Sequence, residues 1–367
     1  MKFSRFYRSA AIASVAALAL AACGSDDSGD GGNNNDAGGG EEAAAEVSGN
    51  LIGGGASSQE AAMTAWTEGI TEVHPDLTVQ YDPVGSGSGR EGFIAGQYTF
   101  AGSDAAMDSD EQEQACGSSN PFHVPSYISP VAVAFNLEGV DALNMNPDTI
   151  GKVFAGEITT WDDPEIAEQN EDVELPSTDI TVVHRADDSG TTENFVDYLA
   201  GAASDVWTWE VSDAWPEELT GESAQQTSGV VSLTSDTDGA ITYADASQIG
   251  DLATVAVGVG EDYVEYSSEA AASAVEAAEE DPEATGARIL DRETEEEGVY
   301  PIVMISYHIF CEEYDDESLV EQVKAFGNYV ISEDGQAAAE ESAGSAPISD
   351  SIRDEATERI EAISVAG

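Results

Sequence analysis

Positive charge is scarce in this chain: its 367 residues hold 11 Lys and Arg against 73 Asp and Glu. That balance excludes nucleic acid as a partner, because binding it requires neutralising phosphates with Lys and Arg. Cysteine is scarcer still, with three residues and no Cys-x-x-Cys or Cys/His cluster. Neither a thiolate metal site nor a dithiol redox motif is expected. The four histidines, His74, His123, His184 and His308, are scattered without ligand spacing, so no metal and no cofactor are expected. Past the N-terminus no apolar run approaches the ~20 residues that cross a bilayer, and there is no internal repeat. What remains is a globular composition, 41% hydrophobic, in a chain long enough for two ordinary domains.

The N-terminus departs from this pattern. Lys2, Arg5 and Arg8 make a positive start, and Ala10 to Ala22 is almost entirely apolar yet short for a membrane span. Residues 1–22 thus read as a secretory signal peptide. Leu20-Ala21-Ala22-Cys23 resembles the lipobox of bacterial lipoproteins, which implies a lipid on Cys23; the alternative is an ordinary signal peptide with an incidental cysteine. Gly24 to Glu46 is Gly, Asn, Asp, Ser and Ala with almost no large apolar residue, so residues 23–47 read as a tether that cannot bury enough surface to fold. In an exported protein Cys116 and Cys311 remain as a pair expected to form a disulfide, two free thiols being the alternative. Without Lys2, Arg5 and Arg8, eight basic residues face 73 acidic ones, a formal charge of −65. The acidity is spread along the chain as a solvated surface, in the manner of adaptation to high salt, which concerns habitat and not function.

The body starts near Ser48, and strand patterns alternate with helix patterns along it. Asn50 to Gly55 reads as a strand running into a turn, with a helix carrying Met63, Trp66 and Ile70 after Ser57 and Ser58. Leu77 to Tyr81 alternates like a strand and leads through Gly85-Ser86-Gly87-Ser88-Gly89 to a helix expected over 90–95. Strands follow at 98–102 and 128–136, helices at 147–154 and 164–169, and strands at 180–184 and 240–243. Then come a helix at 270–280, a strand at 299–309, and closing helices at 319–330 and 351–363. This alternation predicts an α/β architecture with mostly parallel sheets.

Three segments share one design. Gly55-Ala56-Ser57-Ser58, Gly85 to Gly89 and Asp188-Ser189-Gly190-Thr191 each follow a strand and open a helix. Helix N-termini present unpaired N–H groups and a positive dipole end, glycine lets a ligand approach the backbone, and Ser and Thr add hydroxyl donors. Arg185, one of few cations in the chain, precedes the third loop with a fork suited to a tetrahedral oxyanion. A single such loop is usually no more than a cap and a turn; three at strand ends, one beside an arginine, point to an anion site. Arg90, at a helix N-terminus where a cation is disfavoured, reads as a salt-bridge partner, a ligand contact being the alternative, and Trp161 reads as core.

On these residues the chain resembles the PstS family, the phosphate-binding proteins of ABC phosphate importers. The likeness runs from about Gly49 to the end and is strongest over Phe154 to Pro164 and Ile180 to Thr192. The family's Arg-x-Asp-x-Ser-Gly-Thr signature stands as Arg185, Asp187, Ser189, Gly190 and Thr191. Ser86 falls at the family's serine ligand, Asp104 at its ligand aspartate, and Ala346-Pro347-Ile348 at its tail motif. One departure is Ser57-Ser58 where the family has Thr-Phe. The resemblance implies a two-lobed periplasmic binding protein, type II-like, whose α/β lobes are joined by two crossover strands near Val131–Phe135 and Ile302–Ser306. Lobe I would be 48–132 plus 303–367 and lobe II 133–302. It implies phosphate contacts from Ser57, Ser58, Ser86, Asp104, Arg185, Ser189, Gly190 and Thr191, with Asp187 aiming Arg185. It further implies a protein without enzymatic activity, tethered by lipid to the outer face of the cytoplasmic membrane, with inorganic phosphate and importer permease subunits as partners. The competing readings are another oxyanion, sulfate or molybdate, and a phosphatase, for which no activating base or metal constellation stands beside a Ser-rich loop.

Overall fold

The computed structural model describes residues 47–276 and 278–367. The expected signal peptide, Cys23 and the tether up to Glu46 lie outside the described residues. Among those described, no helix is long and apolar enough to cross a membrane.

The chain opens with strand β1 (Ser48–Gly55), a 3₁₀ turn at Ser57–Gln59 and helix α1 (Glu60–Val73). The helix buries Ala62, Met63, Trp66 and Ile70, a spacing of three to four residues that makes one apolar face. Strand β2 (Asp76–Asp82), helix α2 (Ser86–Ile94), strand β3 (Phe100–Ser103) and the short helix α3 (Ser109–Gln114) follow. Strand β4 then runs the full length of Pro121–Asn136 and is buried almost throughout. Beyond it lie β5 (Ala142–Met145), α4 (Pro147–Phe154), α5 (Pro164–Ala167), β6 (Thr181–Arg185), α6 (Gly190–Ala202), β7 (Glu222–Ala224), α7 (Gln226–Asp236), β8 (Ala240–Asp245), β9 (Ala253–Val259), β10 (Asp262–Val264) and α8 (Ser268–Glu276). A two-stranded piece, β11 (Glu279–Glu280) with β12 (Arg288–Ile289), precedes the return strand β13 (Val303–Cys311). The chain closes with β14 (Glu313–Tyr314), α9 (Glu317–Ile331), α10 (Glu333–Ala343), α11 (Asp350–Ala362) and β15 (Ser364–Val365).

Eleven strands form one sheet in the order β2-β1-β3-β13-β4-β8-β6-β7, with β9 also against β4 and carrying β5 and β10. Two halves meet in β4. Its first part, Pro121–Pro130, pairs with β13, and its second, Val131–Asn136, pairs with β8. The return crossing lies just before β13, where Val131 N–H donates to the Ile302 carbonyl at 2.7 Å. This two-lobed α/β body is the expected fold class, but the sheet is mixed rather than mostly parallel. β1 with β2 and β3, and β6 with β7 and β8, are parallel. The pairs that β13 makes with β3 and β4, and β4 with β8 and β9, are antiparallel. A chain that leaves one half and returns must cross the middle in both directions.

Boundaries also moved. Helix α2 begins at Ser86 instead of residue 90, so the glycine-rich stretch is its first turn. A Cβ at Gly89 would lie 2.3 Å from the Gly55 Cα, and only glycine lets this turn pack so closely on β1. β4 starts seven residues before Ile128; Pro121 is its first residue, Pro125 sits at the register shift and Pro130 where the pairing partner changes, which are the places a strand tolerates proline. α8 stops at Glu276, and Glu279–Glu280 pairs as a strand. Cys116 and Cys311 form a disulfide across 195 residues, and Trp161 is core, its Nε1 donating to the Gly239 carbonyl.

Candidate functional site

The eight residues singled out for anion binding are all buried. Strands β1 and β3 run one way and β6 runs the other, since three antiparallel pairings separate β3 from β8 and β6 is parallel to β8; the segments that follow the three strands meet where the two halves join. Asp104, just past β3, is the focus. Its Oδ1 accepts from Ser58 Oγ at 2.6 Å and from Ser306 Oγ at 2.6 Å, and its Oδ2 accepts from Thr191 Oγ1 at 2.9 Å. Its backbone N–H donates to Ser86 Oγ at 3.2 Å. Ser58 and Ser86 come from the first half of the sheet and Thr191 from the second, so Asp104 ties the three helix N-termini together. A carboxylate offers about four acceptor directions; three hydroxyls leave one.

Gly190 opens α6 against this group. A Cβ there would lie 2.8 Å from Asp104 Cβ, 2.9 Å from the Ala105 nitrogen and 2.9 Å from Ser86 Oγ. Any side chain would push the α6 terminus out of the site. Ser189 is the N-cap of α6, its Oγ accepting from Thr192 N–H at 3.3 Å, while its own N–H donates to the Asp213 carbonyl at 2.9 Å. Gly85, at φ +102°, brings the α2 loop beside the third segment, since a Cβ there would meet Asp187 Oδ2 at 2.6 Å and an Arg185 guanidinium nitrogen at 3.6 Å. Arg185 donates from Nε to Asp187 Oδ1 at 2.8 Å and from Nη2 to Asp187 Oδ2. Two of its five N–H donors are thus committed, and the guanidinium plane is fixed. Asp187 also accepts from Gln226 N–H at 3.1 Å, which links this pair to α7. Ser57 stands slightly apart: its Oγ accepts from Thr227 N–H at 3.0 Å and shares a hydrogen bond with Thr227 Oγ1 at 3.1 Å.

Sequence reasoning missed three contributors. Ser306 lies on β13 beside the register shift that leaves Ser126 of β4 without a partner; a hydroxyl between Ile305 and Tyr307 was the signal. Thr227, at the start of α7, had the same Thr-Ser-Gly cap composition as the recognised loops. Asn194 on α6 donates from Nδ2 to the Asp104 carbonyl at 2.7 Å and to the Gly190 carbonyl at 2.8 Å, and its sequence gives no sign of this.

The charges around the site are paired. Arg90 donates to Glu111 at 2.9 Å and to Asp213 at 3.0 Å. Burial works against its charge, and Glu111 first among its carboxylate neighbours outweighs that and holds its pKa up. All eight basic residues of the described body lie within ion-pair distance of a carboxylate. Burial raises the Glu193 carboxyl to about 7 despite Arg90. Asp245, at the end of β8, accepts from Tyr127 OH at 3.1 Å and from Ser247 N–H at 2.9 Å, and burial pushes it up to about 7. Among the described residues no group of three or more His, Cys, Asp or Glu is placed to hold a metal ion. The arrangement can present oriented N–H and O–H donors, one fixed guanidinium and one carboxylate acceptor to a small tetrahedral oxyanion.

The PBP superfamily domain matches residues 40–334. The phosphate-binding protein PstS 3 of Mycobacterium tuberculosis is 31% identical over 337 residues, covering 89% of this chain and 90% of that one. The phosphate-binding protein PstS 2 of the same organism is 32% identical over 289 residues, covering 73% and 75%. Among solved structures, a high affinity periplasmic phosphate-binding protein (PfluDING) bound with phosphate superposes with a TM-score of 0.70 at 21% identity, covering 83% of this chain and 92% of that one, a likeness of fold. With relatives above 30% identity matched over 75% and 90% of their lengths, the chain belongs to the PstS family of phosphate-binding proteins.

Proposed function

We propose that this chain is a solute-binding protein that captures inorganic phosphate outside the cell and delivers it to the permease subunits of an ABC importer. The observation that carries the reading is the convergence on Asp104 of hydroxyls from both halves of the sheet, beside an Arg185 already aimed by Asp187. Phosphate at neutral pH keeps at least one P–OH proton. The fourth acceptor direction of Asp104 suits that proton, and Ser57, Ser58, Ser86, Ser189, Gly190, Thr191 and Arg185 supply donors to the remaining oxygens. The two lobes, 48–132 with 303–367 and 133–302, close over the ligand by bending at β4 and at the crossing before β13. Cys23 carries the lipid that holds the protein at the outer face of the membrane. Binding without turnover is favoured over phosphatase chemistry, because the one carboxylate beside the site hydroxyls, Asp104, is shared among Ser58, Ser306 and Thr191 and not paired with a single nucleophile, and among the described residues no group is placed to hold a metal ion.

Calorimetry on phosphate-free protein tests this. Saturable phosphate binding with no heat from sulfate is expected, and a phosphate-release assay on simple phosphate esters should give no turnover. Absence of phosphate binding overturns the reading.

A further inference from the structure

Helix α6 carries a buried side-chain relay that the anion site does not account for. Arg292, in the segment between β12 and β13, is buried and donates from Nη1 to the Val303 carbonyl at 2.7 Å and to the Pro301 carbonyl at 3.2 Å. Its Nε donates to Asp197 Oδ2 at 2.7 Å and its Nη2 to Asn194 Oδ1 at 2.6 Å. A guanidinium can only donate, so it fixes the orientation of the Asn194 amide: Oδ1 toward Arg292, and the NH₂ group toward the carbonyls of Asp104 and Gly190. The Gly190 bond lies within α6. The Asp104 bond does not. Asp104 follows β3, α6 follows β6, and three strands, β13, β4 and β8, lie between β3 and β6 in the sheet. That bond exists only while the two halves are together.

We infer that Asn194, oriented by Arg292, is a positioning residue that clasps the cleft shut by holding the backbone carbonyl of Asp104 against the N-terminus of α6. Because Arg292 is bonded to the carbonyls where the chain returns to the first half, the clasp connects the crossing itself to the ligand-binding level. The two amide N–H groups of Asn194 are spent on backbone carbonyls and its Oδ1 on Arg292. The clasp acts on the lifetime of the closed state and leaves anion choice to Asp104. This rests on the phosphate-binding reading above.

The test is stopped-flow binding of phosphate to wild type, Asn194→Asp and Arg292→Lys. Asn194→Asp keeps an acceptor for Arg292, so the buried guanidinium stays paired, but the donor across the cleft is gone. The dissociation rate should rise ~10-fold, the factor expected for one buried hydrogen bond, with the association rate within about twofold of wild type and the preference for phosphate over sulfate kept. Small-angle scattering at saturating phosphate should show a larger radius of gyration than wild type. Arg292→Lys keeps charge beside Asp197 without the fork and should move the dissociation rate in the same direction. A role confined to helix stability would lower the melting temperature and leave dissociation unchanged, and that result overturns the clasp. If Asn194→Asp does not fold, Asn194→Ser, polar and too short to span the gap, gives the same comparison. Wild type that fails to bind phosphate overturns the functional reading and the clasp with it; wild type that binds while the variants dissociate like wild type overturns the clasp alone.

Discussion

Replacing Asp104 by Asn separates the two ways a buried carboxylate can act on an anion. Its negative charge repels phosphate and sulfate dianions alike, so that repulsion cancels in their ratio. Only the proton differs. Phosphate donates its P–OH to the carboxylate, a charge-assisted bond of about 1.5–3 kcal/mol. Sulfate, with no proton, turns a bare oxygen toward an acceptor and leaves it unpaired, at about 1–3 kcal/mol more. The sum, about 5 kcal/mol, corresponds to a preference for phosphate of ~10⁴-fold. In Asp104→Asn one oxygen becomes an NH₂ donor that sulfate can accept from. The groups now bonded to Asp104 are the hydroxyls of Ser58, Ser306 and Thr191, which rotate to accept as readily as they donate, so the site keeps its shape. The preference should fall to ~10–100-fold, largely through gained sulfate affinity, as the retained carbonyl still accepts from P–OH. Calorimetry with both anions on both proteins measures this. Comparable sulfate and phosphate affinities in wild type, or an unchanged ratio in the variant, would remove Asp104 from the selectivity mechanism.

Three further outcomes follow from the structure. The Cys116–Cys311 disulfide closes a 195-residue loop, so its removal as Cys116→Ala/Cys311→Ala should cost up to ~5 kcal/mol by the chain-entropy estimate, seen as a melting temperature lower by ~7 °C with phosphate affinity unchanged; equal melting temperatures refute it. With a formal charge of −62 the chain repels a phosphate dianion at long range, so the association rate should rise from low to moderate salt as that repulsion is screened, and a flat or falling rate counts against it. Asp245 is held up at about 7 by burial, so its contribution to stability is full at pH values below the ordinary carboxylate range and is lost as the pH rises from about 4 to about 7; Asp245→Asn should stabilise by up to about 4 kcal/mol at pH 8 and little at pH 4.5, and equal shifts at both would exclude the cause.

Local chemistry made much of this legible before any coordinates. Ser189 before Gly190 reads as a cap, and it caps α6; the helix expected over 147–154 is α4, with those bounds. The spacing of Met63, Trp66 and Ile70 marks the buried face of α1. What escaped depended on partners distant in sequence. The glycines of α2 read as a loop because their reason is the backbone of β1, thirty residues earlier. The long β4 carries prolines that argue against a strand until its change of partner at Pro130 is known. Ser306 reads as a polar interruption in an apolar run, and its purpose lies in its bond to Asp104, 202 residues away. Asn194 had no local signal, since both of its functions lie in contacts that folding creates.

The scarcity of positive charge, which first excluded nucleic acid, also determines how this protein can hold an anion. Arg185, the cation at the site, is matched by Asp187, and Asp104 adds a further carboxylate, so this trio carries a formal charge of −1. Arg90 nearby is matched twice. Net attraction cannot draw phosphate in. What remains are donors: the N–H groups of helix first turns, which have no partner inside their own helices, and the hydroxyls beside them. These dipoles act over a few ångströms and point at one place. They are buried, so salt weakens them far less than it weakens the repulsion outside. An anion that reaches the cleft is therefore held by geometry rather than by charge balance, and so acidic a chain is compatible with a phosphate site as long as the three helix ends stay in register around Asp104.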